Sequence, residues 1–286
     1  MQGWLIYRRP DAERNSRYIT FYGEAGERYG LQIELKYFES FAFGTESGQL
    51  ALFYEGERVK EQPDFVIMRA DEPLFSEQLE QMGYRVFNNA YLSRIANDKE
   101  KTLRLAAAHG INVPDTCFAD HQTAQAAARM LGFPLVIKPP DGHGGQDVCM
   151  VQSEAELFAL LEQYAHKRFL LQRPVSDLGK DLRVYVVGGR IVAGMLRERK
   201  DDFRSNYCLG GGARRYMLSA AEEALVYRVC GLFQVDYAGF DFMFHEGNMI
   251  LNEIEDVVGA RMLYTLTDID VVDVYLRHIK ACITEG

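Results

Sequence analysis

A chain of 286 residues, 26% of them charged and 48% hydrophobic, has an ordinary globular composition and can bury a sizeable core. A net charge of −9 and a pI near 5.3 exclude a general nucleic-acid binder, which needs a basic footprint. Cys117, Cys149, Cys208, Cys230 and Cys282 are scattered and odd in number, with no Cys-x-x-Cys pair. That usage suits a reducing cytoplasmic compartment rather than a disulfide framework.

The N-terminal MQGWLIYRRPDAER is charged early and lacks a long apolar run, so it does not read as a signal peptide. Residues 4–7 are an apolar strand ending at Arg8-Arg9. Ser16–Tyr29 reads as a helix closed by Gly30, and residues 33–38 as the next strand. Phe65–Met68 is a continuous apolar run, hence a buried strand, ending at Arg69. A helix over 74–82 stops at Gly83, and 84–87 is another strand. Alternating strands and helices predict a mostly parallel sheet, whose ligands bind beyond the strand C-termini. Arg8, Arg69 and Asn88 stand there.

A helix over 97–108 ends at Gly110 and opens a second α/β unit. It continues with an alanine-rich helix over 123–131, stopped by Gly132, and a strand over 133–138. Ser153-x-x-Glu156 predicts a capping box for a helix reaching about residue 165, and 169–172 is a short strand. From Arg173 on, the chain predicts a hairpin turning at Gly188-Gly189, an Arg- and Gly-rich loop, a helix capped by Ser219-x-x-Glu222, and a second hairpin. The apolar stretch 184–196 is broken by Gly188-Gly189-Arg190 and is too short to span a bilayer.

Three stretches carry chemistry. In LVIKPPDGHGGQDV a strand delivers Lys138 to a loop holding Gly142, Gly144 and Gly145. Glycines let backbone amides converge on phosphate oxygens, and the lysine adds a point charge. The pattern is neither a Walker A loop nor Gly-x-Gly-x-x-Gly, and a plain turn is the alternative. The second stretch gathers Arg197, Arg199, Lys200, Arg204, Arg214 and Arg215 with Gly210–212 in an otherwise acidic protein. Arginine holds carboxylate or phosphate bidentately, though a solvated basic loop is the commoner fate of such runs. The third stretch, YAGFDFMFHEGNMILNEIEDVVGARML, is an apolar hairpin turning at His245-Glu246-Gly247-Asn248. Glu253 and Glu255, two apart, share a face, and in-register pairing brings Asp241 beside them. Three carboxylates on one apolar hairpin repel, and a divalent metal relieves them, unless the hairpin end is simply solvated. Together the three stretches suit Mg-ATP or another nucleoside triphosphate.

In this order the motifs resemble the ATP-grasp superfamily, most closely the RimK-type carboxylate–amine ligases. The resemblance rests on Asn97-Asp-Lys with the helix leading to GINVP at 110–114, then VIKP ending at Pro139, DLRVYVVGG from Asp181, DFRSN ending at Asn206 with Gly211-Gly212, and Gly239-Phe-Asp241 with Glu253-Ile-Glu255. It implies an α/β chain, α+β in its C-terminal part, with an ATP-grasp fold. A pre-grasp domain over 1–95 precedes a lid subdomain over 96–172 and a metal-bearing subdomain over 173–286. It implies that Lys99 and Lys138 contact ATP phosphates while Gly142, Gly144 and Gly145 close over them. Gln172, Arg173, Pro174 and Val175 would form the hinge that reads adenine, with Asp181 near the ribose. Arg183, Arg197, Arg204 and Asn206 would face the γ-phosphate and acyl group. Asp241, Glu253 and Glu255 would hold two Mg²⁺ ions, with Mn²⁺ as a substitute.

The chain departs from the family pattern in three places. Arg173 stands where the hinge carries glutamate, and Glu255 where the third metal ligand is asparagine. The small Ser-Pro-Gly turn is replaced by DVVGAR, so Arg261 can hold a substrate carboxylate or pair with Asp256 or Asp268. The expected function is ATP-dependent amide formation between a small-molecule carboxylate and an amino acid or peptide amine, through an acylphosphate, in the cytoplasm. A membrane or nucleic-acid partner is not expected, and a homo-oligomer fits the family. The rival readings are a metabolite kinase on the same scaffold, told apart by amine-dependent ADP release, and a non-catalytic nucleotide-binding protein.

Overall fold

The computed structural model describes residues 1–142, 147–164, 167–199 and 212–285. The chain opens with β1 (Gln2–Tyr7), α1 (Arg9–Arg14), α2 (Ser16–Tyr29) and β2 (Gln32–Tyr37). α2 ends where Gly30 turns left-handed (φ 66°), so that the amides of Gly30 and Leu31 donate back to Glu27 and Gly26. An antiparallel meander follows, β3 (Phe41–Glu46), β4 (Gln49–Tyr54) and β5 (Glu57–Arg58), then β6 (Phe65–Met68), α3 (Pro73–Gln81) and β7 (Val86–Phe87). The order β2-β1-β6-β7 is parallel throughout, and β6 is buried along its whole length, as its unbroken apolar run requires. The meander lies outside the predicted strands. Its residues are mostly half-exposed and its local pattern is weak, but Leu52 joins Ile6, Val66 and Phe75 in one core cluster.

α4 (Ala90–Ile95) and α5 (Lys99–Ala108) are capped by the side chains of Asn89 and Asp98. α5 starts two residues later than predicted, because Asn97 is left-handed (φ 62°) and cannot continue a helix. Next come β8 (Thr116–Asp120), α6 (Ala124–Leu131), β9 (Leu135–Lys138), β10 (Cys149–Val151), α7 (Glu154–Leu161) and β11 (Arg168–Gln172). They form an antiparallel sheet ordered β10-β9-β11-β8. α6 and α7 pack on one face through Ala128, Leu131, Leu157 and Leu161 against Leu135, Ile137, Phe169 and Leu171. Strand alternation sends Lys138 and Gln172 to the opposite face. α7 stops at Leu161, short of the predicted end. Ser153 caps it, while the Glu156 carboxylate accepts from Gln152.

The remaining elements are β12 (Lys180–Val187), β13 (Arg190–Glu198), β14 (Gly212–Tyr216), α8 (Ala220–Cys230), β15 (Tyr237–His245), β16 (Asn248–Glu255), α9 (Arg261–Leu266) and α10 (Val271–Glu285). The strands make one antiparallel sheet, β14-β13-β12-β15-β16. Both hairpins turn where predicted, with Gly188 and Gly189 (φ 57° and 69°) and Glu246 and Gly247 (φ 50° and 77°) left-handed. One face, through Leu182, Val184, Phe240 and Phe242, packs on α8, α5 and α4. On the other face Tyr185, Met195 and Tyr237 pack with α10, α2 and the N-terminal sheet. Next to this apolar half, the same face carries Asp181, Arg183 and Asp241. Among the described residues no helix is long and apolar enough to cross a membrane.

Candidate active site

The register of the C-terminal sheet sets opposite charges against each other. Asp181 on β12 faces Arg197 on β13, Arg183 on β12 faces Asp241 on β15, and Asp241 faces Glu253 on β16. All five are on the face away from α8, because the intervening Leu182, Leu196, Phe240 and Ile254 fill that core. Arg183 donates to both oxygens of Asp241 (2.7 and 2.7 Å) and to Glu255 (2.7 Å). Arg197 grips both oxygens of Asp181 and reaches Asp241 Oδ2 at 2.7 Å. Asp241 is 1% exposed. Burial works against its charge, yet Arg183 and Arg197 hold its carboxyl well below the usual range.

Lys99, the first residue of α5, comes in from the side. Its ammonium donates to Gly142 O (2.6 Å) and pairs with Glu253 (2.6 Å). Burial is outweighed by this lysine, so the Glu253 carboxyl also sits low. For Glu255 burial dominates and Arg183 compensates only in part, so its carboxyl is pushed up. Lys138 enters from the end of β9, in the β10-β9-β11-β8 sheet, and donates to Asn252 Oδ1 (2.9 Å). Burial, with Lys99 nearby, draws its ammonium down to about 8.

Asn252 is a site residue that motif reading misses. The β15–β16 register shifts between Asp241 and Phe242, leaving Asn252 as the extra residue of a bulge. The bulge turns Glu253 toward Asp241 and leaves Asn252 free to meet Lys138. A signal was present in the sequence. Met249 and Leu251 keep period two, but the next core residue is Ile254, one step out of phase. Asn97 and Asp256 form a second unpredicted pair, bonded side chain to side chain, with Asp256 N donating to Asn97 (3.3 Å). They tie the start of α5 to the end of β16.

The residues predicted as a hinge, 172–175, are tied to β8 and to the end of α6. Gln172 donates to Thr116 Oγ1 (2.8 Å), and Arg173 ties Leu131 O (2.7 Å) to Asp115 (2.8 Å). A cavity of about 610 Å³ is lined by Arg173, Pro174, Val175, Asp115 and Ile250. Asp181 faces the arginines rather than this cavity, with both oxygens engaged by Arg197. Gly144, Gly145, Arg204 and Asn206 lie outside the described residues, as do Lys200 and Cys208.

The donor set fits a hard divalent cation. One oxygen from each of Asp241, Glu253 and Glu255 lies within 4.8 Å of the others, close to the span that oxygen ligands of Mg²⁺ require. Asp241 Oδ1 accepts a single bond from Arg183 and keeps a lone pair for a metal. The site therefore offers carboxylates for a cation, arginines behind them, and two lysines that converge from the start of α5 and the end of β9.

The N-terminal residues expected beyond the strands are placed differently from one another. Arg8 pairs with Glu72 and stacks on Phe38. Arg69 is 5% exposed and donates to Val258 O (2.8 Å). Asn88 bridges to β15, donating to Tyr237 O (2.6 Å) and accepting from the amides of Asp236 and Tyr237. Arg261 is exposed and forms no ion pair with Asp256 or Asp268.

Residues 96–279 match the RimK-like ATP-grasp domain family. A probable alpha-L-glutamate ligase of Sodalis glossinidius (strain morsitans) is 28% identical over 271 residues, covering 90% of this chain and 91% of that protein. Beta-citrylglutamate synthase B of Homo sapiens is 29% identical over 257 residues, covering 84% of this chain and 67% of its own length. The solved structure of the ATP-grasp ligase PsnB with minimal precursor, Mg and ADP superposes with a TM-score of 0.70 over 99% of this chain and 98% of that one. At 16% identity that likeness establishes the ATP-grasp fold alone.

Proposed function

This chain belongs to the RimK-like ATP-grasp family and is an ATP-grasp ligase, and from that premise we propose that it uses Mg-ATP to join a small carboxylate to the amine of an amino acid or peptide. The observation that carries the proposal is that Lys138, at the end of β9, bonds Asn252 on β16, while Lys99 pairs with the neighbouring Glu253, whose register partner is Asp241. Neither half alone could hold a triphosphate and its metal.

A carboxylate resists attack because resonance and charge stabilise it. In the proposed reaction its oxygen forms a bond to the γ-phosphorus, and ADP leaves with the electron pair. The amine then bonds to the acyl carbon, phosphate departs, and the amine's proton goes to solvent. Such chemistry needs positioning and charge neutralisation more than a covalent nucleophile. Bound Mg²⁺, as two ions or with Mn²⁺ in its place, supplies charge withdrawal from the phosphates. Asp241, Glu253 and Glu255 would hold it.

The chain's own residues do the rest. Lys99 and Lys138 orient the phosphates, and the loop of Gly142, Gly144 and Gly145 closes over them. Arg173, Pro174 and Val175 receive the adenine in the cavity they line, with Gln172 preceding them in the hinge and Asp181 toward the ribose. Arg183 and Arg197, with Arg204 and Asn206, stabilise the acylphosphate and the tetrahedral intermediate. This working division assigns 1–95 to the pre-grasp domain, 96–172 to the lid and 173–286 to the metal-bearing part. We place the protein in the cytoplasm, with a homo-oligomer as the expected assembly.

The test is mass detection of products from Mg-ATP offered with a matrix of acids and amines. A condensed product, acid plus amine minus water, is expected to appear with ADP and to vanish in Glu253→Gln. Phosphorylated acid without amide, whatever amine is present, would replace this reading with phosphoryl transfer alone.

A further inference from the structure

The C-terminal ends of β6 and β7, where a parallel sheet commonly receives a ligand, grip another part of the chain instead. Arg69 follows β6 directly, and Asn88 follows β7. Both reach the segment that leaves the carboxylate cluster. The β15–β16 ladder ends at the pair Gly239 and Glu255, and residues 256–260 belong to no helix or strand. Side chains set their path. Asn88 Nδ2 donates to Asp256 O (3.3 Å), Arg69 to Val258 O (2.8 Å) and Tyr185 Oη to Gly259 O (2.9 Å).

Packing holds only part of this segment. Val258 is fully buried and lies over Gly239, where a Cβ would come within 2.5 Å of it. Further on, Gly259, Ala260 and Arg261 border a cavity of about 340 Å³, lined also by Arg14, Arg17 and Arg69. Backbone beside open space has few contacts to fix it, and its hydrogen bonds count for more.

Arg69 is a costly side chain to place here for stability alone. It is 5% exposed, its second bond, to Tyr7 Oη, is long (3.4 Å), and its guanidinium lies over the rings of Tyr18 and Tyr237. A buried guanidinium bonded only to neutral groups retains much of its desolvation cost, which the rings offset in part. What it provides is a donor aimed at Val258 O. Val258 is three residues from Glu255. It also flanks Gly239 together with the stem of Arg183, whose guanidinium donates to Asp241 (2.7 Å) and Glu255 (2.7 Å). A shift of Val258 therefore reaches the carboxylates by two routes, along the backbone to Glu255 and through Arg183 to Asp241. Ligand sets tolerate displacements of only about 0.5 Å.

We propose that Arg69 is a positioning residue for the reaction: by holding Val258 it fixes Glu255 and Arg183, and so sets the affinity of the carboxylate cluster for the divalent cation that accompanies the nucleotide. It touches neither the cation nor a substrate. This role rests on the metal assignment of the proposed function and extends it to the N-terminal sheet, which supports the cation without supplying a ligand.

The test is Mn²⁺ binding to the full chain with saturating ADP, read from the electron paramagnetic resonance of free Mn²⁺, so that no turnover is needed. Arg69→Met keeps the length of the side chain and removes its donors. It is expected to weaken Mn²⁺ binding by about tenfold, and Arg69→Lys, which retains a donor, to restore part of that loss. Tyr185→Phe removes the bond to Gly259 O and keeps the packing, so it probes the same segment with little risk to folding. It should weaken Mn²⁺ binding in the same direction. In turnover, the Mg²⁺ concentration at half-maximal rate should rise in Arg69→Met by a similar factor, with a smaller fall in kcat at saturating Mg²⁺. A purely structural arginine would lower the melting temperature and leave the Mn²⁺ affinity of the folded chain unchanged. Wild-type Mn²⁺ affinity in both Arg69→Met and Tyr185→Phe would overturn the proposal. So would a raised KM for the acid alone, which would make Arg69 a substrate contact. Arg69-dependent Mn²⁺ binding in a wild-type chain that forms no amide would leave the positioning role standing and remove the ligase reading.

Discussion

Asp241 has two tasks that the sequence could not separate. Motif reading makes it a metal ligand, so removing it should stop turnover and leave the fold intact. The structure adds that its carboxylate is clamped by two buried arginines. Asp241→Ala removes the counter-charge they share, and breaking a buried pair costs about 3–5 kcal/mol. We expect urea denaturation to show that loss, and wild-type stability in the variant would refute the clamp. Lys138 carries a pH signature. Burial draws its ammonium to about 8 in the free protein. Phosphates beside it favour the charged form, so the bound lysine titrates higher. The complex therefore binds more protons than the free protein above pH 8, and affinity must fall as pH rises. Calorimetry of ATP binding should be flat below pH 8 and decline by up to about tenfold per pH unit above it. Lys138→Arg should flatten the decline, because a guanidinium stays charged.

Elements place these residues by periodicity. Period two on β12 and β13 sends Asp181, Arg183 and Arg197 to one face while Leu182, Val184 and Leu196 fill the other. β16 keeps that phase only by spending one residue, Asn252, on a bulge. Helix ends are as local. The Ser219 side chain caps α8 and the Glu222 carboxylate returns to the Ser219 amide (2.7 Å), a complete capping box as the motif predicts. Ser219→Ala should cost about 1 kcal/mol, read as a shift in the urea midpoint without a change in slope. A shift of zero would mean that packing of Val226 and Val229 alone holds the helix. The start of α5 shows the opposite case. Nothing local forbids helix at Asn97, but its side chain is drawn to Asp256, 159 residues away.

At the scale of the molecule, the N-terminal sheet and the C-terminal sheet are joined by polar contacts as well as by apolar packing. Asn88 satisfies the amides of Asp236 and Tyr237 and the carbonyl of Tyr237. Asn88→Ala would leave these buried groups unbonded, at about 1–3 kcal/mol for each. We expect lowered stability and faster hydrogen exchange at Asp236 and Tyr237. Unchanged exchange there would show that α2 and α10 hold the two units without Asn88. This docking also builds the arginine cavity, whose walls come from both units.

The sequence by itself determined the parallel N-terminal sheet, the two C-terminal hairpins, the lysine at the end of β9 and the facing pair Glu253 and Glu255. Each follows from a local rule: an apolar run, a glycine turn or a period of two. The carboxylate cluster was legible because hairpin pairing is itself nearly local. Only the tertiary structure decided that Arg183 and Arg197 stand behind Asp241, that Asn252 holds Lys138, and that Arg17, Arg69 and Arg261 surround one cavity. Those contacts join residues far apart in the chain, and no pattern within one element can specify a partner on another. Charge complementarity across a sheet, and an excess of arginine around a cavity, exist only once the layers have packed.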